Sequence, residues 1–189
     1  MISKQALRQQ IKASKQATPA VTLNEWSQQA VHCLEEQFIW QQAKTVLLYY
    51  SMKDEVNTHN LVERAYKSGK IVYLPVMQAD ELILRPFTGI ENMKTASKYK
   101  ILEPTGDIVP PENYRNIDLV LVPGVAFTRE GYRLGRGKGY YDNLLPHISA
   151  PCIGICWEIQ LVNQLPTESH DVTLDGIISS NGIIKKLTK

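Results

Sequence analysis

The segment IDLVLVPGVAF, residues 117–127, is an almost unbroken apolar run in the second half of the chain. A strand with one face in water would alternate apolar and polar side chains, but every residue from Leu119 to Val122 is apolar. Such continuity is typical of a parallel strand that is covered on both faces. The segment therefore predicts a central strand of an α/β sheet.

Strands and a helix alternate upstream of this central segment. TVLLYYS (45–51) and KIVYLPVM (70–77) have the composition of strands, and a helical stretch between them (61–66) is closed by Gly69. A strand-helix-strand unit favours a parallel pair with a right-handed crossover. Three more segments extend the predicted sheet: ELILRPF (81–87), in which Pro86 marks the end of the strand or a sheet edge, PCIGICWEI (151–159) and TLDGIIS (173–179).

These alternating elements predict one fold class. We expect a single three-layer α/β/α domain, residues 1–189, with a mostly parallel, Rossmann-like central sheet. Two amphipathic helices precede the sheet, one over 3–16 and one over about 23–41 that begins with a capping box of Thr22 and Glu25. Residues 88–116 have weak periodicity and predict a surface excursion. Ligands of such sheets bind beyond the carboxyl ends of the strands.

The composition predicts an intracellular protein with local rather than overall charge. The net charge is only +2, yet residues 1–16 carry four cations without an acid, and residues 129–138 carry four cations against one glutamate. The three cysteines have no paired spacing, and Cys152 and Cys156 lie in an apolar run, which favours buried thiols at these two positions in a reducing cytoplasm. No apolar run reaches the length of a signal-peptide core or a membrane span, so we expect no membrane association.

The most distinctive motif is GYRLGRGKGYYDNLL, residues 131–145, in which glycines alternate with cations. It lacks the third glycine of a nicotinamide dinucleotide fingerprint, where Tyr140 stands, and Gly139 follows the lysine where a P-loop needs Ser or Thr. Its backbone amides and cations still suit a polyphosphate, and Asp142 suits magnesium. The motif predicts a site for a magnesium-bound nucleotide. The alternative is a solvated turn in which Asp142 stabilises the first turn of a helix.

Four segments together carry a resemblance to a known family. KQALR (4–8), SMKDE (51–55), RLGRGKGYYD (133–142) and LPTESHDVTLDGII (165–178) resemble, in this order, the motifs of the 5-formyltetrahydrofolate cyclo-ligases, also called 5,10-methenyltetrahydrofolate synthetases. The resemblance covers nearly the whole chain. It implies ATP- and magnesium-dependent ring closure of 5-formyltetrahydrofolate to 5,10-methenyltetrahydrofolate, with release of ADP and phosphate.

The resemblance also implies where each ligand binds. Its folate contacts match Tyr50, Met52 and Glu55, and its magnesium carboxylates match Asp142 and Asp171. Its ATP contacts match two runs, the first being Lys4, Gln5, Ala6, Leu7 and Arg8, and the second Arg133, Leu134, Gly135, Arg136, Gly137, Lys138, Gly139, Tyr140 and Tyr141.

The implied reaction activates an amide. The formyl oxygen attacks the γ-phosphate of ATP, N10 adds to the activated carbon, and loss of phosphate leaves the methenyl bridge. Phosphoryl transfer mainly requires positioning and charge neutralisation, and we expect Arg136 and Lys138 to stabilise the transferring group. We expect a cytoplasmic monomer whose partner is the folate, with or without a polyglutamate tail, and neither nucleic acid nor membrane.

Two other functions stay open at the level of sequence. Interleaved glycine, arginine and tyrosine also suit a module that binds single-stranded nucleic acid, although the net charge of +2 and the buried-sheet pattern disfavour it. A sugar-phosphate isomerase could use a similar α/β sheet. It would need no ATP hydrolysis, so release of ADP separates it from the ligase.

Overall fold

The structure is a computed structural model that describes residues 2–79, 81–95, 101–169 and 171–185. In it, helices and strands alternate as the sequence predicts. The chain begins with α1 (Lys4–Ala17), α2 (Ala20–Glu35) and α3 (Phe38–Gln42). The first half of the sheet then follows as β1 (Thr45–Leu47), α4 (His59–Lys67), β2 (Ile71–Gln78) and β3 (Glu81–Pro86). The remaining elements are β4 (Met93–Thr95), β5 (Leu102–Pro104), β6 (Leu119–Val122), β7 (Ala126–Phe127), β8 (Arg133–Leu134), α5 (Tyr140–Leu144), β9 (Cys152–Cys156), β10 (Gly176–Ser179) and β11 (Gly182–Lys185).

A seven-stranded sheet, counted within the described ranges, forms the centre of the fold in the order β11-β10-β9-β6-β1-β2-β3. The inner pairs from β10 to β2 are parallel, whereas β11 and β3 at the two edges are antiparallel to their neighbours. The predicted α/β class with a mostly parallel sheet is confirmed. Pro86 is the last residue of β3, and β3 is an edge strand, so both features that Pro86 could mark, a strand end and a sheet edge, are present.

The central strand β6 is buried on both faces. Leu119 and Leu121 contact one core, which α2, α3 and α4 cover, while Val120 and Val122 contact a second core on the other face. The second core is covered by α5 and by short 3-10 segments, so this layer is thinner than the first. Because burial of a Leu or Val side chain contributes about 1.5–3 kcal/mol, the continuous apolar run of β6 stabilises both layers.

Several predicted element boundaries are wrong. The helix predicted over 23–41 is two helices, because Gln37 has an extended backbone between α2 and α3. The first of them begins at Ala20 without a side-chain cap, so Thr22 and Glu25 form no capping box. The central strand ends at Val122, and the apolar residues beyond it form β7, which pairs with β8 instead. The predicted excursion over 88–116 contains β4 and β5, and β11 was not expected.

The cysteines behave as the composition predicts. All three are free thiols, and Cys152 and Cys156 are buried. Burial raises the pKa of Cys152 to about 12 and also raises the pKa of Cys156, so both are small apolar side chains at neutral pH. In the part of the chain that the structure describes, no helix combines the length and the apolar character needed to cross a bilayer.

Candidate active site

A cavity of about 410 Å³ opens at the carboxyl ends of the parallel strands. Tyr49 and Tyr50, which follow β1, and Pro123 and Gly124, which follow β6, line it, so it occupies the place where ligands of open α/β sheets bind. An apolar wall comes from β2, β3 and the region of β5: Leu74, Pro75, Met77, Leu82, Ile101 and Leu102. Met52 and a set of polar and glycine residues complete the lining: Glu55, Glu103, Arg133, Gly135, Arg136, Lys138, Gly139, Tyr140, Tyr141 and Asp142.

The glycine loop, residues 135–139, connects β8 to α5 and borders this cavity. Gly137 and Gly139 have φ angles of 101° and 68°, in the left-handed region that disfavours side chains. Arg8 of α1 lies against the loop, and its Nε donates to the carbonyl of Gly135 at 2.9 Å. A Cβ atom at Gly137 would stand 3.3 Å from the Arg8 guanidinium. The bare backbone therefore lets α1 approach the loop closely.

Arg136 joins the glycine loop to the segment 52–55. Its Nη2 donates to Oδ1 of Asp54 at 2.7 Å and to Oε1 of Glu55 at 3.1 Å. The other Glu55 oxygen accepts the backbone N–H of Met52 at 2.9 Å. Burial raises the pKa of Asp54, but the hydrogen bond and charge of Arg136 outweigh burial and leave that pKa below its ordinary value. The loop that the family resemblance assigns to ATP thus contacts the segment that it assigns to folate.

Arg133 lies beneath the glycine loop, and its side chain is only 4% exposed. Its Nη2 donates to Oδ1 of Asp142 at 2.8 Å, and its guanidinium stands 5.4 Å from the ring centre of Tyr141. The Arg133 Nε is buried and has no hydrogen-bond partner among the described residues. An unsatisfied buried donor costs about 1–3 kcal/mol. Arg133 also lines the cavity, so a guanidinium with one unsatisfied donor lies beside the candidate ligand site.

Lys4 links the start of α1 to the segment before β10. Its Nζ donates to Oε2 of Glu168 at 2.7 Å and to Oδ2 of Asp171 at 3.0 Å. Val172, the next residue, donates its backbone N–H to Oδ1 of Asp142 at 3.4 Å. The two carboxylates predicted to bind magnesium therefore lie in neighbouring segments, and each is paired with a cation. Within the described ranges, no group of three or more His, Cys, Asp or Glu side chains is arranged to hold a metal ion.

The remaining predicted residues differ in how they meet the cavity. Lys138 is exposed at its rim, and the hydroxyl of Tyr140 donates to Sδ of Met77 at 3.3 Å. The ring of Tyr50 stacks on His59, with ring centres 3.9 Å apart.

Some of the residues that the resemblance assigns to ATP do not present a side chain to the cavity. Leu7 and Leu134 are buried in a small apolar cluster with Ile11 and Ala126, so their side chains contact the protein core. Gln5 is exposed on α1, and Ala6 donates its N–H to Ser3 Oγ as part of the helix cap.

Three polar residues of this region are not singled out by sequence reasoning. Asp54 and Glu168 bind Arg136 and Lys4, and Lys15 donates to the carbonyl of Asp54. The local sequence around Asp54 and Glu168 is also that of solvated loop acids. Only the position of these two acids beside predicted site residues could have indicated a role. The apolar cavity wall likewise has the alternation of any half-buried strand.

A ligand cavity at the carboxyl edge of a parallel sheet, bordered by a cationic glycine loop, defines the class of small-molecule α/β enzymes. Within that class the amino-acid sequence is specific. Residues 1–180 match the model of the 5-formyltetrahydrofolate cyclo-ligase family, and the chain belongs to this family.

Individual relatives agree with this assignment. A probable 5-formyltetrahydrofolate cyclo-ligase of Schizosaccharomyces pombe is 32% identical over 78% of this chain and 80% of the relative. The 5-formyltetrahydrofolate cyclo-ligase of Saccharomyces cerevisiae is 30% identical over 97% of this chain and 98% of its own. The NMR structure of Aquifex aeolicus 5,10-methenyltetrahydrofolate synthetase has a TM-score of 0.86 and 29% identity, covering 98% of this chain and 93% of that one. The family resemblance and the fold class predicted from the sequence are confirmed.

Proposed function

We propose that this protein is a 5-formyltetrahydrofolate cyclo-ligase that uses ATP to form 5,10-methenyltetrahydrofolate, with release of ADP and phosphate. Family membership supports this activity, and the family uses ATP. The structural observation that carries the proposal is the hydrogen bond of Arg136 to Glu55 at 3.1 Å. It joins the loop that we assign to ATP to the segment that we assign to folate, as a reaction between the two substrates requires.

The reaction must overcome the stability of an amide. The formyl carbon on N5 is a poor electrophile because the nitrogen lone pair delocalises into the carbonyl. In the proposed first step the formyl oxygen attacks the γ-phosphorus, and ADP leaves. N10 then adds its lone pair to the formyl carbon and loses its proton, and phosphate departs with the former formyl oxygen. One ATP is consumed for each ring that closes.

We assign the nucleotide to the glycine loop and to the start of α1. Phosphoryl transfer depends on positioning and on neutralisation of charge. Arg8 contacts the loop backbone, Arg133 precedes the loop, and Lys4 binds Asp171. Arg136 and Lys138, at the cavity rim, are our candidates for contacting the transferring group. Arg136 would exchange a carboxylate oxygen for a phosphate oxygen, so the guanidinium keeps a charged partner throughout.

We also assign magnesium to this site, through Asp142 and Asp171. Two carboxylates fit this ion, since magnesium is usually bound by one or two carboxylates together with phosphate oxygens and water. The contact between Val172 and Asp142 supports their proximity. When bound, the ion supplies neutralisation of phosphate charge. Arg133 and Lys4 hold these carboxylates in place by the ion pairs described above.

The folate is assigned to the apolar part of the cavity, beside Tyr50, Met52 and Glu55. Planar rings of the folate suit the apolar wall of β2 and β3, which buries ring surface at about 25 cal/mol per Å². The Glu55 carboxylate can accept N–H groups of the pterin when Arg136 turns to phosphate. We further propose that residues 1–189 act as one domain and that the protein is a cytoplasmic monomer. Size-exclusion chromatography at assay concentration would test the monomeric state.

A spectrophotometric assay tests the proposed activity. Methenyl absorbance should appear from 5-formyltetrahydrofolate only when ATP and magnesium are both present, with one ADP released per product. Methenyl formation without ADP release would refute the phosphorylation step. Absence of turnover, combined with salt-sensitive binding of a single-stranded oligonucleotide, would favour the nucleic-acid-binding alternative. The internal ion pairs of Lys4, Arg133 and Arg136 argue against that alternative, because these cations already bind carboxylates.

A further inference from the structure

Lys15 is a buried cation close to the proposed site. Only 8% of its surface is exposed, although it lies in the last turn of α1. Its Nζ donates to the backbone carbonyl of Asp54 at 2.7 Å and stands 5.3 Å from the ring centre of Trp157. A carbonyl oxygen and an aromatic face are both favourable partners for an ammonium group. The side chain therefore has a defined position beneath the segment 52–55.

Fold stability alone does not account for a lysine at this position. Burial lowers the pKa of Lys15, even though the charge of Asp54 opposes that shift, so the folded environment disfavours the ammonium group as a whole. A methionine would pack its stem against Trp157 without the cost of burying a charge. The cation therefore calls for a role in addition to packing.

The same face of α1 binds three different segments of the proposed site. Arg8, two turns before Lys15, donates to Gly135 of the glycine loop at 2.9 Å. Lys4, one turn earlier still, binds Asp171 at 3.0 Å. Residues at these spacings share a helical face. At 1.5 Å per residue, α1 spans about 16 Å from Lys4 to Lys15, and it connects the proposed metal carboxylates, the nucleotide loop and the folate segment.

Lys15 also belongs to a connected support beneath the folate segment. The Trp157 indole N–H donates to Ser27 Oγ at 2.9 Å, and the same oxygen accepts the backbone N–H of Asn57 at 3.2 Å. Lys15 and Ser27 thus hold the backbone at residues 54 and 57, one on each side of Glu55. Held at both points, Glu55 extends toward Arg136 with its side chain only 10% exposed.

We propose that Lys15 is a positioning residue for folate binding, which acts by holding the carbonyl of Asp54 so that Glu55 faces the cavity. It does not itself touch a substrate. The inference rests on the proposed function, because it assumes that the segment 52–55 binds folate. Arg8 contacts the nucleotide loop and Lys4 contacts Asp171, both independently of Lys15. Loss of Lys15 should therefore weaken folate binding more than ATP binding.

A comparison of Lys15→Met, Lys15→Arg and Lys12→Met in the full chain tests this inference. Lys12 is exposed on the same helix, so its variant controls for the loss of one positive charge from α1. KM is measured for 5-formyltetrahydrofolate at saturating ATP and for ATP at saturating folate, beside the midpoint of thermal unfolding. For Lys15→Met we expect the folate KM to rise about tenfold, as for one lost hydrogen bond to a charged group, with the ATP KM within about twofold of wild type. Lys15→Arg should restore most of the folate KM.

Each outcome decides for or against the inference. Equal folate KM values in Lys15→Met and Lys12→Met would overturn the inference. Equal increases of the folate KM and the ATP KM in Lys15→Met, together with a lowered unfolding midpoint, would also overturn it, because they would indicate a purely structural lysine. If Lys15→Met does not fold, Lys15→Gln is held to the same criteria, because it keeps a polar head without the charge. Absence of wild-type turnover would remove the proposed function and this inference together, whereas wild-type turnover with an unaffected Lys15 variant would remove this inference alone.

Discussion

Replacement of Arg136 by alanine tests the proposed nucleotide site most directly. The side chain is 46% exposed and binds the two carboxylates of Asp54 and Glu55, and exposed ion pairs contribute about 0–1 kcal/mol to folding. The free energy of unfolding should therefore fall by no more than about 1 kcal/mol. In the reaction the same guanidinium is expected to make at least one charge-assisted hydrogen bond to phosphate, at about 1.5–3 kcal/mol. Its loss should lower kcat/KM for ATP by roughly 10- to 150-fold.

The assay is methenyl formation at saturating folate with ATP varied, beside urea unfolding of each variant. Arg129→Ala is the matched control, because Arg129 is an exposed arginine of the same basic segment, and its kcat/KM should stay within about twofold of wild type. Arg136→Lys should give an intermediate value, since lysine keeps the charge but lacks the planar fork. A folded Arg136→Ala protein with wild-type kcat/KM would remove Arg136 from the mechanism.

Three further perturbations separate binding from stability. Asp142→Asn leaves the buried Arg133 without its carboxylate, so the free energy of unfolding, measured by denaturant titration, should fall by about 3 kcal/mol. The magnesium concentration needed for activity should rise in the same variant. An unchanged magnesium requirement would exclude Asp142 as a ligand. Gly137→Ala and Gly182→Ala both force a side chain to positive φ, which should lower the free energy of unfolding by about 1–2 kcal/mol in each case. Only Gly137→Ala should raise the KM for ATP. Equal KM values in the two variants would contradict the assignment of the glycine loop to ATP. The pKa of Asp54 lies below its ordinary value. Its ion pair with Arg136 therefore stabilises the fold at pH values above the unfolded-state pKa of about 4. This stabilisation is lost as the pH falls through the lower folded-state pKa. Urea unfolding between about pH 7 and about pH 2 should show wild type and Asp54→Asn converging in acid, and a difference that is constant with pH would refute the pairing.

The fold class follows from local patterns that need no tertiary information. The apolar run from Leu119 to Val122 predicts a doubly covered strand, and Pro86 predicts a strand end or a sheet edge, because both predictions depend on residues adjacent in the chain. Element ends were less predictable. The pattern of Thr22 and Glu25 is that of a capping box, yet the helix starts at Ala20, because a cap forms only where the backbone already leaves the helix.

The sequence by itself determined the chemistry available to this protein: a glycine loop rich in cations, the separate segment SMKDE (51–55), and the motifs of a family. Those are properties of neighbouring residues. Only the tertiary structure decided that Arg136 meets Glu55, 81 positions away in the chain, and that Lys15 binds the backbone carbonyl of Asp54, 39 positions away. The physical reason is the strand order: β6 lies beside β1, so the loops that leave the carboxyl ends of these strands close over one cavity, and side chains with no shared local pattern become partners.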